Sequence, residues 1–148
     1  MNRESLMAQL AISEGKRLKA YLDTVGVLTV GIGHNCVARP VSGVSKVGDT
    51  ISEEISEELF DSDLNDVVVQ LDRNLPWWSA LDDVRQNVVA DMCFNMGITT
   101  LLKFRGTLAA IEEGRYQDAA AGMLASKWAR QVGNRAKKLA RQMETGAE

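Results

Sequence analysis

One run of residues constrains the fold more than any other: Ser52 to Asn74 reads as a single long helix. Ser52 is placed to cap it, and Glu53, Glu54, Glu57 and Glu58 crowd its first turns, where negative charge suits the positive end of the helix dipole. Ile55, Leu59, Phe60, Leu64, Val67, Val68 and Leu71 then recur at helical spacing until Pro76 stops the run. Some 20 residues at about 1.5 Å each reach roughly 30 Å, the width of a small domain. A helix that long can join two lobes. The chain of 148 residues is bounded to one cooperative unit that buries about two-thirds of its unfolded surface.

On the N-terminal side, Leu6, Met7, Leu10 and Ala11 give Met1 to Ile12 an amphipathic helical pattern that ends near Glu14-Gly15. A hairpin follows, opened by Tyr21-Leu22-Asp23-Thr24 and continued by Leu28-Thr29-Val30-Gly31-Ile32-Gly33-His34. Residues 33–45 are loop-like, and Thr50-Ile51 could add a short strand. Beyond Pro76, Ser79-Ala80-Leu81-Asp82 resembles a capping-box start, with Val84, Val88, Val89, Met92 and Cys93 as a buried stripe ending near Gly97. Further helices are expected over Thr107–Glu113, Tyr116–Ser126 and Asn134–Glu144. The class is therefore α+β, predominantly α. Residues 1–148 are expected to form one domain, with a small hairpin lobe at 15–50, a helical lobe from 1–14 and 75–148, and the helix 52–74 joining them across a polymer-binding cleft.

The formal charge is only −3, but most acids lie between Asp49 and Asp91 and most bases between Lys103 and Arg141. The basic half favours an acidic polymer, either a cell wall bearing peptide carboxylates or nucleic acid. Cys36 and Cys93 fall in a loop and a core helix, a pattern of free thiols rather than a secreted disulfide framework. No uncharged apolar run approaches the roughly 18 residues that span a bilayer, and no secretory signal is present, so no membrane insertion is expected. His34 is the only histidine and has no ligand cluster at metal spacing, so neither a metal nor a cofactor is expected. Gly31-Ile32-Gly33 fails as a dinucleotide loop because Cys36 stands where the third glycine belongs.

Glycosidic bond cleavage needs two carboxyls, one protonated to release the leaving oxygen and one ionised to activate water or attack the sugar. Glu14 at the end of an apolar helix and Asp23 on a polar hairpin suit those two roles, since partial burial penalises the charged form of the first. Two acids nine positions apart are commonplace. The wider pattern is more specific: Glu14-Gly15, Arg17-Leu18-Lys19-Ala20-Tyr21-Leu22-Asp23-Thr24 and Thr29-Val30-Gly31-Ile32-Gly33-His34 resemble the catalytic segment of phage lysozymes of the T4-lysozyme type, glycoside hydrolase family 24. Glu58-Leu59-Phe60 with Asp63, Phe94-Asn95-Met96-Gly97, Ser126-Lys127-Trp128 and Asn134-Arg135-Ala136-Lys137 resemble that family's later landmarks.

The resemblance implies a lysozyme-like fold and an endo-acting muramidase that hydrolyses the β-1,4 bond between N-acetylmuramic acid and N-acetylglucosamine in peptidoglycan. It implies Glu14 as proton donor, Asp23 as second catalytic carboxylate and Thr29 as the hydroxyl that helps hold the attacking water, with inversion at the anomeric carbon. Inverting carboxyls lie roughly 6.5 to 9.5 Å apart. It also implies a structural pair of His34 with Asp63, and substrate contacts from Phe94, Thr107 and Arg135. Arg135 resembles the family arginine that sits near the catalytic glutamate; a close cation would lower the carboxyl pKa that burial raises, and the sequence leaves that balance open. The resemblance further implies a monomeric endolysin, made in the host cytoplasm and reaching the wall after a holin opens the membrane. Asn35 and Gly122 depart from better-known relatives in the cleft, and neutral Ser13 stands where a relative carries an acid.

Each residue also has a plainer explanation. Glu14 could be an acid paired at a helix end, Asp23 a turn former, Thr29 an ordinary strand residue and Phe94 or Trp128 core packing. Three other functions compete. A lytic transglycosylase uses one acid and no water, and the presence of Asp23 and Thr29 argues against it. A non-catalytic wall-binding or baseplate module would need no intact pair of carboxyls. A nucleic-acid face built from Lys127, Arg130, Arg135, Lys137, Lys138 and Arg141 lacks an aromatic platform, so no stable nucleic-acid partner is expected.

Overall fold

A computed structural model describes residues 1–148. Contacts divide the chain into an N-terminal unit, Glu4–Asp66, and a C-terminal unit of Val67–Glu148 with Met1–Arg3, the boundary falling within one long helix.

In the N-terminal unit, helix α1 (Arg3–Glu14) stops at Gly15 and feeds strand β1 (Lys16–Leu22). Strands β2 (Leu28–Ile32) and β3 (His34–Asn35) complete an antiparallel sheet in the order β1-β2-β3. Lys16 pairs with Ile32 and Arg17 with Gly31, then the register shifts so that Tyr21 pairs with Thr29 and Leu22 with Leu28. Such an irregularity bends a strand and re-aims its side chains. Ala20, Val30, Cys36, Val44 and Ile51 form the apolar cluster under the sheet. The expected strand at Thr50-Ile51 is reduced to one bridge between Lys19 and Thr50, because Ser52 begins the next helix two residues later. The Ser52 hydroxyl accepts from the Ile55 amide at 3.1 Å, capping α2 (Glu53–Asn74), which runs 22 residues.

The C-terminal unit contains a short 3-10 helix, Pro76–Ala80, then α3 (Asp83–Met96), α4 (Ile98–Leu101), α5 (Arg105–Glu112), α6 (Tyr116–Leu124), α7 (Lys127–Val132) and α8 (Asn134–Thr145). The cap of α3 is Asp82, whose carboxylate accepts from the Arg85 amide at 3.1 Å, rather than Ser79. Ser79 is occupied in the 3-10 turn, its hydroxyl on the Pro76 carbonyl at 3.4 Å. Every residue of α3 from Gln86 to Cys93 is buried, where a single stripe was expected. Helix α8 packs against α6, α3 and α7, and α5 against α6. Small residues, Ala119, Ala120, Ala136 and Ala140, let these helices approach around Met123, Leu139 and Met143. Cys36 and Cys93 are free thiols, and burial pushes the Cys93 thiol up to about 11.

Candidate active site

Glu14 is the last residue of α1 and is half-buried. Its carboxylate lies against the backbone of Gly33, where an added Cβ would come within 3.3 Å of Glu14 Oε2 and 3.5 Å of its Cβ and Cδ. Gly33 also has φ +63°, a left-handed conformation that side chains oppose. The chain can pass this close to Glu14 only as glycine.

Asp23 sits at the hairpin turn and divides its two oxygens between two situations. Its Oδ1 accepts from the amides of Val25 at 2.9 Å and Val27 at 2.8 Å, while its own N–H donates to the Val27 carbonyl at 3.0 Å. The turn-forming role is therefore real. Asp23 Oδ2 makes no hydrogen bond within the protein. Thr29 is 5 % exposed and its hydroxyl donates to the Val27 carbonyl at 2.8 Å. With its proton committed there, Thr29 Oγ1 is left as an acceptor. Asp23 and Thr29 are thus both fastened to Val27, one through its N–H and the other through its C=O.

Tyr21 pairs with Thr29 across the sheet, and the Arg17 guanidinium lies 3.9 Å over its ring. Burial pushes the Tyr21 phenol above its ordinary value, the Arg17 cation pulls it down, and the charges of Glu14 and Asp23 push it up again. The structure therefore brings both candidate carboxylates within electrostatic reach of one phenol. Tyr21 and Arg17 belong to the motif in the sequence, but no side-chain pattern there singled them out.

His34 follows Gly33 and is 3 % exposed. Its Nδ1 lies 2.8 Å from Asp63 Oδ2 and its Nε2 lies 3.0 Å from the Arg39 carbonyl. Both partners offer acceptor oxygens, an arrangement that favours the doubly protonated imidazolium. The hydrogen bond to Asp63 raises the His34 pKa most; burial opposes it, and the Arg39 carbonyl and the Asp63 charge add to it. Arg39 itself is ion-paired with Asp66, which ties the loop after β3 to α2.

Phe94, Thr107 and Arg135 belong to the C-terminal unit, and of the three only Thr107 lines a cavity of about 740 Å³ there. Thr107 is 8 % exposed and its hydroxyl makes no hydrogen bond. A Cβ on Gly122 would fall 2.4 Å from that hydroxyl, so the glycine lets α6 pass Thr107. The lining also includes apolar Met96, Phe104 and Trp128, the cations Lys103, Arg105, Arg115 and Lys127, and one acid, Asp118. Trp128 is buried, with its Nε1 donating to Asn95 Oδ1 at 2.8 Å, as befits a core aromatic. Phe94 lies on α3 outside that lining. Arg135 meets Asp91, a fully buried acid whose signal in the sequence was a charge set between Ala90 and Met92. No three His, Cys, Asp or Glu side chains converge to hold a metal, and no helix is long and apolar enough to cross a membrane.

The model of the phage lysozyme family matches residues 11–145. A probable T4-type lysozyme of Dictyostelium discoideum is 32% identical over 96% of this chain and 95% of its own length. The endolysin of Salmonella phage P22 is 35% identical over 62% of this chain and 60% of its own. The pre-baseplate central spike protein of Enterobacteria phage T4 is 29% identical over 96% of this chain, but that match spans only 28% of the spike protein.

Proposed function

The chain belongs to the phage lysozyme family and is a glycoside hydrolase of the lysozyme type, a muramidase-type peptidoglycan hydrolase; from that premise we propose that it cleaves the β-1,4 bond between N-acetylmuramic acid and N-acetylglucosamine with Glu14 as general acid and Asp23 as general base. The observation that carries this reading is the division of labour at Val27. Asp23 Oδ1 is spent on the turn and Oδ2 is left over, while the Thr29 proton is spent on a carbonyl and its lone pairs are left over. A water between them would give one hydrogen to Asp23 Oδ2 and the other to Thr29 Oγ1, with its lone pair directed at the sugar.

In the step itself, Glu14 transfers its proton to the N-acetylglucosamine oxygen as the bond to C1 of N-acetylmuramic acid breaks. Water attacks C1 from the opposite face and passes a proton to Asp23, giving a reducing muramic end of inverted configuration. Gly33 supports the acid by letting the backbone run along the Glu14 carboxylate. His34 and Asp63 act as a structural pair beside it. Phe94, Thr107 and Arg135 supply substrate contacts, with the unpaired hydroxyl and basic rim of the Thr107 cavity suited to a polar, carboxylate-bearing polymer.

As an endolysin the protein would act as a monomer on the cell wall, reaching it once a holin had opened the host membrane. The similarity to a spike protein supports a second role, a lysozyme module carried on the virion. Finding the protein in purified virions rather than free in the lysate would favour that role. The chemistry is tested by turbidity loss of outer-membrane-permeabilised Gram-negative cells with the natural protein and Glu14→Gln, followed by analysis of the released ends. Clearing by the natural protein alone, with reducing muramic ends, is expected. Anhydro ends would replace hydrolysis with transglycosylation, and clearing by Glu14→Gln would overturn the assignment of the acid.

A further inference from the structure

Strand β1 places one further polar side chain on the face of the hairpin that carries Asp23 and Thr29. Beyond the register shift the pairing is regular: Tyr21 stands opposite Thr29, Leu22 stands opposite Leu28, and the Asp23 N–H donates to the Val27 carbonyl. Directly paired residues of an antiparallel ladder share a face, and side chains alternate along each strand. Tyr21, Asp23 and Thr29 therefore project to one side, while Leu22 turns to the other and is exposed.

The fold uses the ring of Tyr21 but not its hydroxyl. The ring is half-buried under the Arg17 guanidinium, 3.9 Å away, a contact that phenylalanine would also make. The phenol makes no hydrogen bond within the protein, and a partly buried hydroxyl without a partner carries a desolvation cost that phenylalanine avoids. Burial first, and then the charges of Glu14 and Asp23, keep the proton on the phenol against the pull of Arg17. Tyr21 thus presents a donor, with one ring face covered, within reach of both carboxylates. On the proposed mechanism the reacting sugar lies between those two groups, so a donor on the Asp23 and Thr29 face stands beside that sugar.

We propose that Tyr21 is a further substrate-binding residue: its phenolic hydrogen bonds to an oxygen of the N-acetylmuramic acid unit whose C1 is attacked, and Arg17 holds the ring for that contact. The proposal rests on the reading of Glu14 and Asp23 as acid and base.

The test measures kcat and KM on soluble peptidoglycan fragments for the natural protein and Tyr21→Phe, which keeps the ring and its contact with Arg17 and removes only the hydroxyl. KM should rise about five- to tenfold, as expected for one lost hydrogen bond, with kcat within about twofold and the melting temperature within about 2 °C. An unchanged KM would overturn the proposal and leave Tyr21 a strand residue whose hydroxyl meets only water. A second measurement follows the phenol itself. The chain has two tyrosines, so Tyr116→Phe assigns the Tyr21 ring signals in an NMR spectrum. In Glu14→Gln, used to bind fragments without cutting them, saturating fragment should move the Tyr21 Cζ signal and raise the pH at which the phenol ionises. Bound fragment that left both unmoved would also overturn the proposal. A natural protein that cut no fragments, or a Glu14→Gln variant that cut them, would instead overturn the proposed function beneath it.

Discussion

The imidazolium of His34 should make stability depend on pH in a direction opposite to ordinary acid denaturation. Its ring is nearly sealed from solvent and donates from both nitrogens to fixed acceptors, Asp63 Oδ2 at 2.8 Å and the Arg39 carbonyl at 3.0 Å. The folded-state pKa is raised above its ordinary 6.5, chiefly by the bond to Asp63. A raised histidine pKa contributes stability that is fully present below about 6.5 and lost as pH rises through the folded-state value, since the proton then leaves and one nitrogen faces an acceptor with nothing to donate. The thiols do not confuse that window: burial raises both Cys36 and Cys93. A hydrogen bond to a charged group contributes about 1.5–3 kcal/mol, so Asp63→Asn, which keeps an oxygen but not the charge, should cost up to about that much at pH 5.5. For a chain of this size that is a melting-temperature loss of roughly 3–12 °C. The gap between natural protein and variant should narrow steadily toward pH 9. Because His34 is the only histidine, its ring proton gives one unambiguous NMR titration. A midpoint at or below the ordinary histidine value, or a stability gap that does not narrow with pH, would refute the reasoning.

Two further outcomes separate chemistry from structure. Asp23→Asn retains an oxygen for the Val25 and Val27 amides, so its melting temperature should stay within about 2 °C while wall hydrolysis falls by about a hundredfold or more; an equal loss of both would reduce Asp23 to a turn former. Gly33→Ala adds a Cβ 3.3 Å from Glu14 Oε2 at a left-handed position, and displacing that carboxylate should cost about a hundredfold in kcat, measured on a protein whose circular dichroism is unchanged. Natural turnover in Gly33→Ala would show that Glu14 does not depend on this backbone.

The long helix was legible because its signals are local and agree: a serine cap, acids in the first turns, helical apolar spacing and a terminal proline. The hairpin was legible from its turn residues and alternating strands. What escaped was short or non-local. The four-residue α4 and six-residue α7 are too brief to show a helical period, and the 3-10 turn after Pro76 shifted the start of α3 from Ser79 to Asp82. Thr50 makes only one bridge because the helix cap follows at once. Glu14, Asp23 and Thr29 were named as candidates through a contiguous motif, whereas Asp91 and Arg135 are 44 positions apart and their pairing exists only once α3 packs on α8.

Residue choice carries information about chemistry where a neutral residue would have met the structural need. The hairpin turn asks position 23 only for a side-chain acceptor, and asparagine offers one. The turn explains one oxygen of Asp23; the charge and the second oxygen are what the proposed activation of water would use. The contact of α3 with α8 likewise asks only for apolar volume, yet carries an acid and an arginine. Gly33 lies in the turn between β2 and β3 at φ +63°, which favours glycine by itself, and the missing side chain also lets the backbone run beside the Glu14 carboxylate. Asp23 and Gly33 lie within nineteen positions of Glu14 in one compact unit, and the carboxylate at 23 goes beyond what its turn alone would select. On the proposed mechanism, that surplus charge in the same unit as Glu14 is what would distinguish this hairpin as chemical machinery from a hairpin that merely folds.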